Sequence, residues 1–180
     1  MRLRAQLNLS DWDSLDQFAA FNLIPKTAVW PLKNVPGITL HSLNYFRNEG
    51  IGWSAWAVPD GSGNTNVFFN DANPLREVRV HLLEEYFHLR LGHVPDKISL
   101  VPMNGNYRTY NRQKEEEAHG CGAAALVPYA GLQSMLALGK HLEWIAEHYL
   151  VPLSLVEFRM EATKLEPLSA AAIRQLSLLS

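Results

Sequence analysis

At 180 residues with a 47% hydrophobic content, the chain is long enough for one domain with a real core and short for two, and its composition argues against wholesale disorder. Lysine and arginine total 16 against 18 acidic residues, a formal charge of -2, so nothing in the balance marks a strong nucleic-acid footprint. The single cysteine, Cys121, has no internal disulfide partner, which fits a reducing compartment. The N-terminal M-R-L-R-A-Q-L-N-L-S lacks the apolar block of a secretory signal. The most membrane-like window, Gly120 to Gly139, is broken by Pro128 and diluted by Gln133 and Ser134, so a buried helix pair explains it better than a span. The expectation is a soluble, cytoplasmic protein.

In chain order, Ser10 or Ser14 caps a first helix running to about Phe21, and Pro25 ends that segment. Thr27–Leu32, Ile38–Leu43, Trp53–Val58 and Asn66–Asn70 are short runs of β-branched and aromatic residues. The turn-rich stretch P-D-G-S-G-N-T-N lies between the last two. They predict a small antiparallel sheet. Asp71 or Asn73 then caps a helix with Pro74 in its first turn, continuing through V-H-L-L-E-E-Y-F-H-L-R-L to Gly92 and Pro95. A short apolar run at Ile98–Val101 is followed by a polar loop over 102–111. The next main helix starts near Arg112 and ends at Pro128; its small residues Gly120 and Gly122 to Ala125 let one face lie close to a neighbour. Further helices are expected over His141–Leu150, over Leu155–Met160 with Ser154 as cap, and over Ser169–Leu178.

The long helix carries the chemistry. Glu84 and His88 are four residues apart, hence one turn apart on one face, and Glu85 adjoins them. This is the spacing of a zinc-hydrolase helix with Glu in place of the first His. In such a site two side chains one turn apart hold the ion, and the carboxylate beside the first ligand moves the proton of the attacking water. A third ligand has to come from elsewhere, and Glu115, Glu116 and Glu117 on the next main helix can supply it. The same E-E-x-x-H pattern also occurs in solvated helices with ordinary Glu–His hydrogen bonds, and three consecutive glutamates also describe a wet face. A second register would use His81 and Glu85, but it leaves no base in the usual place. His93, at the helix end, suits capping, a loop contact or assistance to the site. His119, four residues after Glu115, is placed to hydrogen-bond a ligand carboxylate. Cys121, in a small-residue helix with no base at catalytic spacing, reads as a buried thiol.

Several blocks in order resemble the bacterial ImmA/IrrE-type metallopeptidases: V-F-F-N-D-A-N-P at 67–74, R-V-H-L-L-E-E-Y-F-H at 79–88, L-G-H at 91–93, E-E-E-A-H-G-C-G-A-A-A-L-V-P at 115–128 and I-A-E-H-Y-L-V-P-L-S-L-V-E-F-R at 145–159. The resemblance covers roughly residues 67–160 of what it implies is a single domain spanning 1–180. It implies an α+β fold, a small antiparallel sheet followed by a helical, zincin-like core. It further implies Glu85 as the catalytic glutamate, His88 as a zinc ligand and Glu115 as the distal ligand, with Glu117 as the fallback. The chain departs from the family at position 84, where Glu84 stands in place of the first histidine. That carboxylate, as the unusual third ligand, adds negative charge and weakens the electrophilicity of a bound ion, so another divalent metal or none is the alternative to zinc. Glu84, Glu85 and Glu115 in a metal-free site are expected to repel one another and raise at least one carboxylate pKa.

By the same resemblance, the chain is a zinc-dependent endopeptidase acting on a specific protein such as a helix-turn-helix repressor, in stress responses or mobile elements. The alternative is a peptidase-like regulatory module that binds such a partner without cutting it. Neither reading requires this chain to bind DNA.

Overall fold

The computed structural model describes residues 2–49, 54–93, 98–103, 106–108 and 111–166. They fall into two compact units, one running from Asp16 to Gly122 and the other drawn from the two ends of the chain, up to Leu15 and from Ala123 onward.

The Asp16–Gly122 unit is α+β, with a small sheet followed by helices. Its sheet comprises β1 (Thr27–Pro31), β2 (Ala55–Pro59) and β3 (Thr65–Phe69) in the order β1-β3-β2. The hairpin predicted over 59–66 is present. Asp60 Oδ1 accepts the backbone N–H groups of Ser62 and Asn64 at 2.8 and 3.1 Å, while Gly61 and Gly63 take the positive φ the turn demands. β2 and β3 are therefore antiparallel, with Ala57 opposite Val67. β1 runs parallel to β3, so the sheet is mixed rather than purely antiparallel. A strand that pairs with a neighbour close to forty residues away leaves no local turn signal to give its direction.

Three local expectations change. The segment expected as a strand at Ile38–Leu43 contains a short helix, α3 (Leu40–Asn44), because Thr39 Oγ1 accepts the Ser42 N–H at 3.1 Å and caps it. The first helix of this unit, α2 (Gln17–Phe21), is capped by Asp16, not by Ser10 or Ser14; the Asp16 carboxylate accepts the Phe18 N–H at 2.9 Å. Part of the expected loop at 102–111 is strand, since β4 (Ile98–Met103) and β5 (Asn106–Arg108) pair antiparallel.

The central element is α4 (Leu75–Leu91). Pro74 precedes it without a side-chain cap. Asp71 instead pairs with Arg47 at 2.6 Å and Lys33 at 3.5 Å. Gly92, at φ 69°, stops the helix in a left-handed cap, and the His93 N–H reaches back to the His88 carbonyl at 2.9 Å. Val78, Leu82, Leu83 and Tyr86 form the buried face of α4, with the Phe21 ring edge-on to Tyr86 at 5.7 Å. Each such aliphatic side chain contributes about 1.5–3 kcal/mol by leaving water. α5 (Arg112–Leu126) closes onto this helix: a Cβ on Gly122 would sit 3.3 Å from the Leu83 carbonyl carbon. Of the small residues predicted for close approach, Gly122 is used here for that purpose, whereas a Cβ on Gly120 would meet nothing within 4 Å.

Burial works to raise the Asp71 carboxyl, but the hydrogen bond and charge of Arg47 outweigh it and hold the group below the ordinary carboxylate range. Its contribution to stability is thus fully present above the unfolded-state value near 3.8 and fades as pH falls through the lower folded-state value. Asp71→Asn is expected to lower stability at neutral pH and to flatten the acid limb below about pH 4, as followed by urea melts across pH. An unchanged acid limb would remove this role.

The second unit is helical: α1 (Arg2–Gln6), which the sequence reading did not anticipate, then the end of α5, α6 (Tyr129–Ala137), α7 (Leu142–Tyr149) and α8 (Leu153–Thr163). Pro128 separates α5 from α6, giving the expected helix pair; no helix among the described residues is long and apolar enough to cross a membrane. Leu126, Leu132, Met135, Ile145, Tyr149 and Val156 are fully buried. Buried arginines satisfy carbonyl groups that loops would leave bare: Arg4 donates to Ala125, Asp13 and Ser10, and Arg159 to Val127. The Tyr149 hydroxyl donates to the Asp11 carbonyl at 2.6 Å, and burial pushes its pKa up to about 12. His141 caps α7 through Nδ1, whereas α8 follows Pro152 with no side-chain cap, so Ser154 does not have the capping role expected of it. The helix expected over Ser169–Leu178 lies outside the described residues.

Candidate metal centre

Glu84 and His88 leave α4 one turn apart, as their spacing requires, and Glu115 leaves the first turn of α5 toward them. One ligand atom from each lies within 4.8 Å of the other two. His88 Nε2 and Glu115 Oε2 are 3.4 Å apart, with side chains 12% and 15% exposed. Donors held at zinc bonding distances in a tetrahedral array stand roughly 3.3–3.6 Å from one another. The pair is thus spaced as two ligands of one ion, and longer than a short charge-assisted hydrogen bond. One imidazole and two carboxylates suit a divalent cation, and the set does not single out zinc from other borderline or hard ions.

The neighbours of these groups are mostly histidines. His81 Nδ1 and His119 Nδ1 lie 3.6 and 3.8 Å from Glu84 Oε2. Burial alone would raise the Glu84 pKa. The two facing imidazoles, His119 foremost, outweigh it and bring the value to about 2. The repulsion expected to raise a carboxylate in this cluster therefore does not govern Glu84. Glu84 in turn raises the His119 imidazole against the opposing effect of that ring's burial. The predicted partnership of His119 with a ligand carboxylate exists with Glu84, across the helix pair.

The two helices are antiparallel here, so a Glu/His pair on each crosses over: Glu84 faces His119, and His88 faces Glu115. The run of three glutamates divides its work. Glu115 faces His88, Glu116 pairs with Arg112 at 2.6 Å in solvent, and Glu117 Oε2 lies 3.2 Å from His93 Nε2. The wet-face reading holds for Glu116. The fallback, Glu117, is directed to His93 and lies outside the cluster around His88.

Glu85 lies outside that cluster. It is 8% exposed, and its Oε2 accepts the backbone N–H of Ala57 at 3.1 Å, on the edge strand β2. His81 faces Glu84 while a Glu85 oxygen reaches β2, and the metal-capable cluster found among the described residues contains neither His81 nor Glu85. Cys121 is half-buried, and its thiol is pushed up first by burial and then by Glu117, in keeping with an unreactive role. The link from Ala57 to Glu85 was absent from the sequence reading; a contact between a strand and a helix twenty-eight residues on has no local signature.

A mixed sheet leading into a helical core, with a carboxylate–imidazole–carboxylate cluster on two facing helices, defines a metallopeptidase-like module. The chain belongs to the IrrE N-terminal-like domain family, a peptidase family whose pattern matches residues 37–161. That span begins well before the blocks whose resemblance is visible by eye. None of the curated proteins and none of the solved structures compared with the chain matches it.

Proposed function

We propose that this protein is a zinc-dependent endopeptidase of narrow specificity, a single-domain cytoplasmic enzyme that cuts one protein partner such as a helix-turn-helix repressor. The observation that carries the reading is the convergence of Glu84, His88 and Glu115 from two helices at ligand spacing. These three residues would hold the ion. When bound, it supplies Lewis acidity to water and to the scissile carbonyl. Glu85, next to Glu84, takes the proton of the attacking water on its carboxylate and returns it to the leaving amine. The Ala57 N–H fixes that carboxylate against β2, so its orientation is set before substrate arrives.

One observation favours a second reading, a module that binds a repressor without cutting it. Glu84 is already held as an anion by two imidazoles, and a second carboxylate in the donor set weakens the electrophile. Incubating the purified protein with helix-turn-helix regulators encoded beside it, with zinc and with chelator, separates the readings. Zinc-dependent fragments seen by mass spectrometry support the peptidase. A stable complex without fragments favours the binding module, and neither complex nor fragments overturns both.

A further inference from the structure

We infer that His93 and Glu117 are positioning residues that fix His88 in the tautomer and orientation needed to ligate through Nε2. The inference rests on the metal reading above and extends it to residues outside the ligand set. Gly92 makes it possible: its left-handed backbone turns the chain so that the His93 N–H meets the His88 carbonyl at 2.9 Å. The His93 ring then folds back over the last turn of α4. His93 Nδ1 lies 3.0 Å from His88 Nδ1, and His93 Nε2 lies 3.2 Å from Glu117 Oε2. The ring planes of the two histidines cross at 64°, and the His93 side chain is only 10% exposed, so this is a packed contact.

A cation held at His88 Nε2 leaves the protons of two neutral rings one arrangement. The Glu117 carboxylate only accepts, so His93 Nε2 carries the hydrogen and His93 Nδ1 is bare. At 3.0 Å the two Nδ1 atoms share one proton, which must then sit on His88. That leaves His88 Nε2 as a lone pair, at the atom 3.4 Å from Glu115 Oε2. Without the ion, a proton on His88 Nε2 would satisfy Glu115 equally well, so the chain through His93 supports the tautomer that the bound ion requires. A metal-ligating imidazole held at its other nitrogen by a hydrogen-bonded chain ending in carboxylate is the usual support of such a ligand, and losing the support costs about 10–100-fold in metal affinity. The chain also ties the end of α4 to α5 two residues beyond Glu115, so one contact orients two of the three ligands.

The test compares wild type with His93→Leu, His93→Gln and Glu117→Ala. Gln at 93 can accept from His88 Nδ1–H and donate to Glu117, whereas Leu can do neither. Glu117 is 54% exposed, so its truncation leaves the core intact. In the zinc-loaded chain, nitrogen-15 NMR of the His88 imidazole is expected to show a hydrogen-bonded Nδ1–H in wild type and His93→Gln, with that hydrogen bond lost in His93→Leu. Zinc affinity, measured by competition with a chromophoric chelator, is expected to fall about 10–100-fold in His93→Leu and Glu117→Ala and to recover in His93→Gln. A zinc-loaded wild-type His88 with no hydrogen-bonded Nδ1–H, or equal zinc affinity in all four proteins, would overturn the positioning role. A wild type that takes up no zinc would instead overturn the metal reading beneath it.

Discussion

Glu85→Gln is expected to lower the cleavage rate on a confirmed substrate by about 10²–10⁴-fold, the range set by losing a positioned general base. The fold should be indifferent to the change. Gln has the same shape, and its amide oxygen still accepts the Ala57 N–H that the carboxylate accepts now. Metal content should be unchanged as well, because Glu85 is outside the cluster of Glu84, His88 and Glu115. The substitution therefore keeps the shape and removes the negative charge and with it the ability to take a proton. Cleavage at the wild-type rate by folded, fully metallated Glu85→Gln protein would exclude Glu85 as the base. Partner binding without cleavage in both proteins would turn the account toward the non-cutting module.

Leu83→Ala is expected to cost about 2–5 kcal/mol of stability, the range for emptying a closed aliphatic site. Leu83 is fully buried, and its backbone is the surface against which Gly122 brings α5. The cavity would open beside Glu84, between the two helices that carry the ligands, so zinc affinity should fall with stability. Leu138, 64% exposed, supplies the control; its replacement by Ala should change stability by no more than about 0.5 kcal/mol. Denaturant melts of the metal-free proteins measure both. A Leu83→Ala cost under about 1 kcal/mol, far below the closed-site range, would mean that the α4–α5 contact is not the packed support described here.

What the sequence made legible is what is encoded locally. Glu84 and His88 share a face because any helix places residues four apart together, and the Gly92 stop and the Asp60–Asn64 turn follow from φ preferences that few other residues meet. Glu115 was reachable only by adding the family resemblance, since spacing left Glu115, Glu116 and Glu117 equivalent. Competition between local signals explains the misses. Ile38–Leu43 has strand-like residues, but Thr39 caps a helix there; Asp71 has a capping side chain, but Arg47 claims it. The parallel pairing of β1, the anchoring of Glu85 by Ala57 and the His88–His93–Glu117 chain depend on residues brought together from different elements or by a reversal of the chain. No window of sequence contains them.

Both readings of the site turn on whether Glu84, His88 and Glu115 hold a divalent ion. Elemental analysis of protein purified without chelator or a metal-binding tag, beside the His88→Ala variant, tests it most directly. Removing a ligand should weaken binding by more than the roughly 10–100-fold that loss of a supporting residue costs. About one zinc per chain is expected in wild type and none retained by a folded His88→Ala protein. Metal-free wild type that stays so after added zinc, with a melting temperature zinc does not move in either protein, would contradict it.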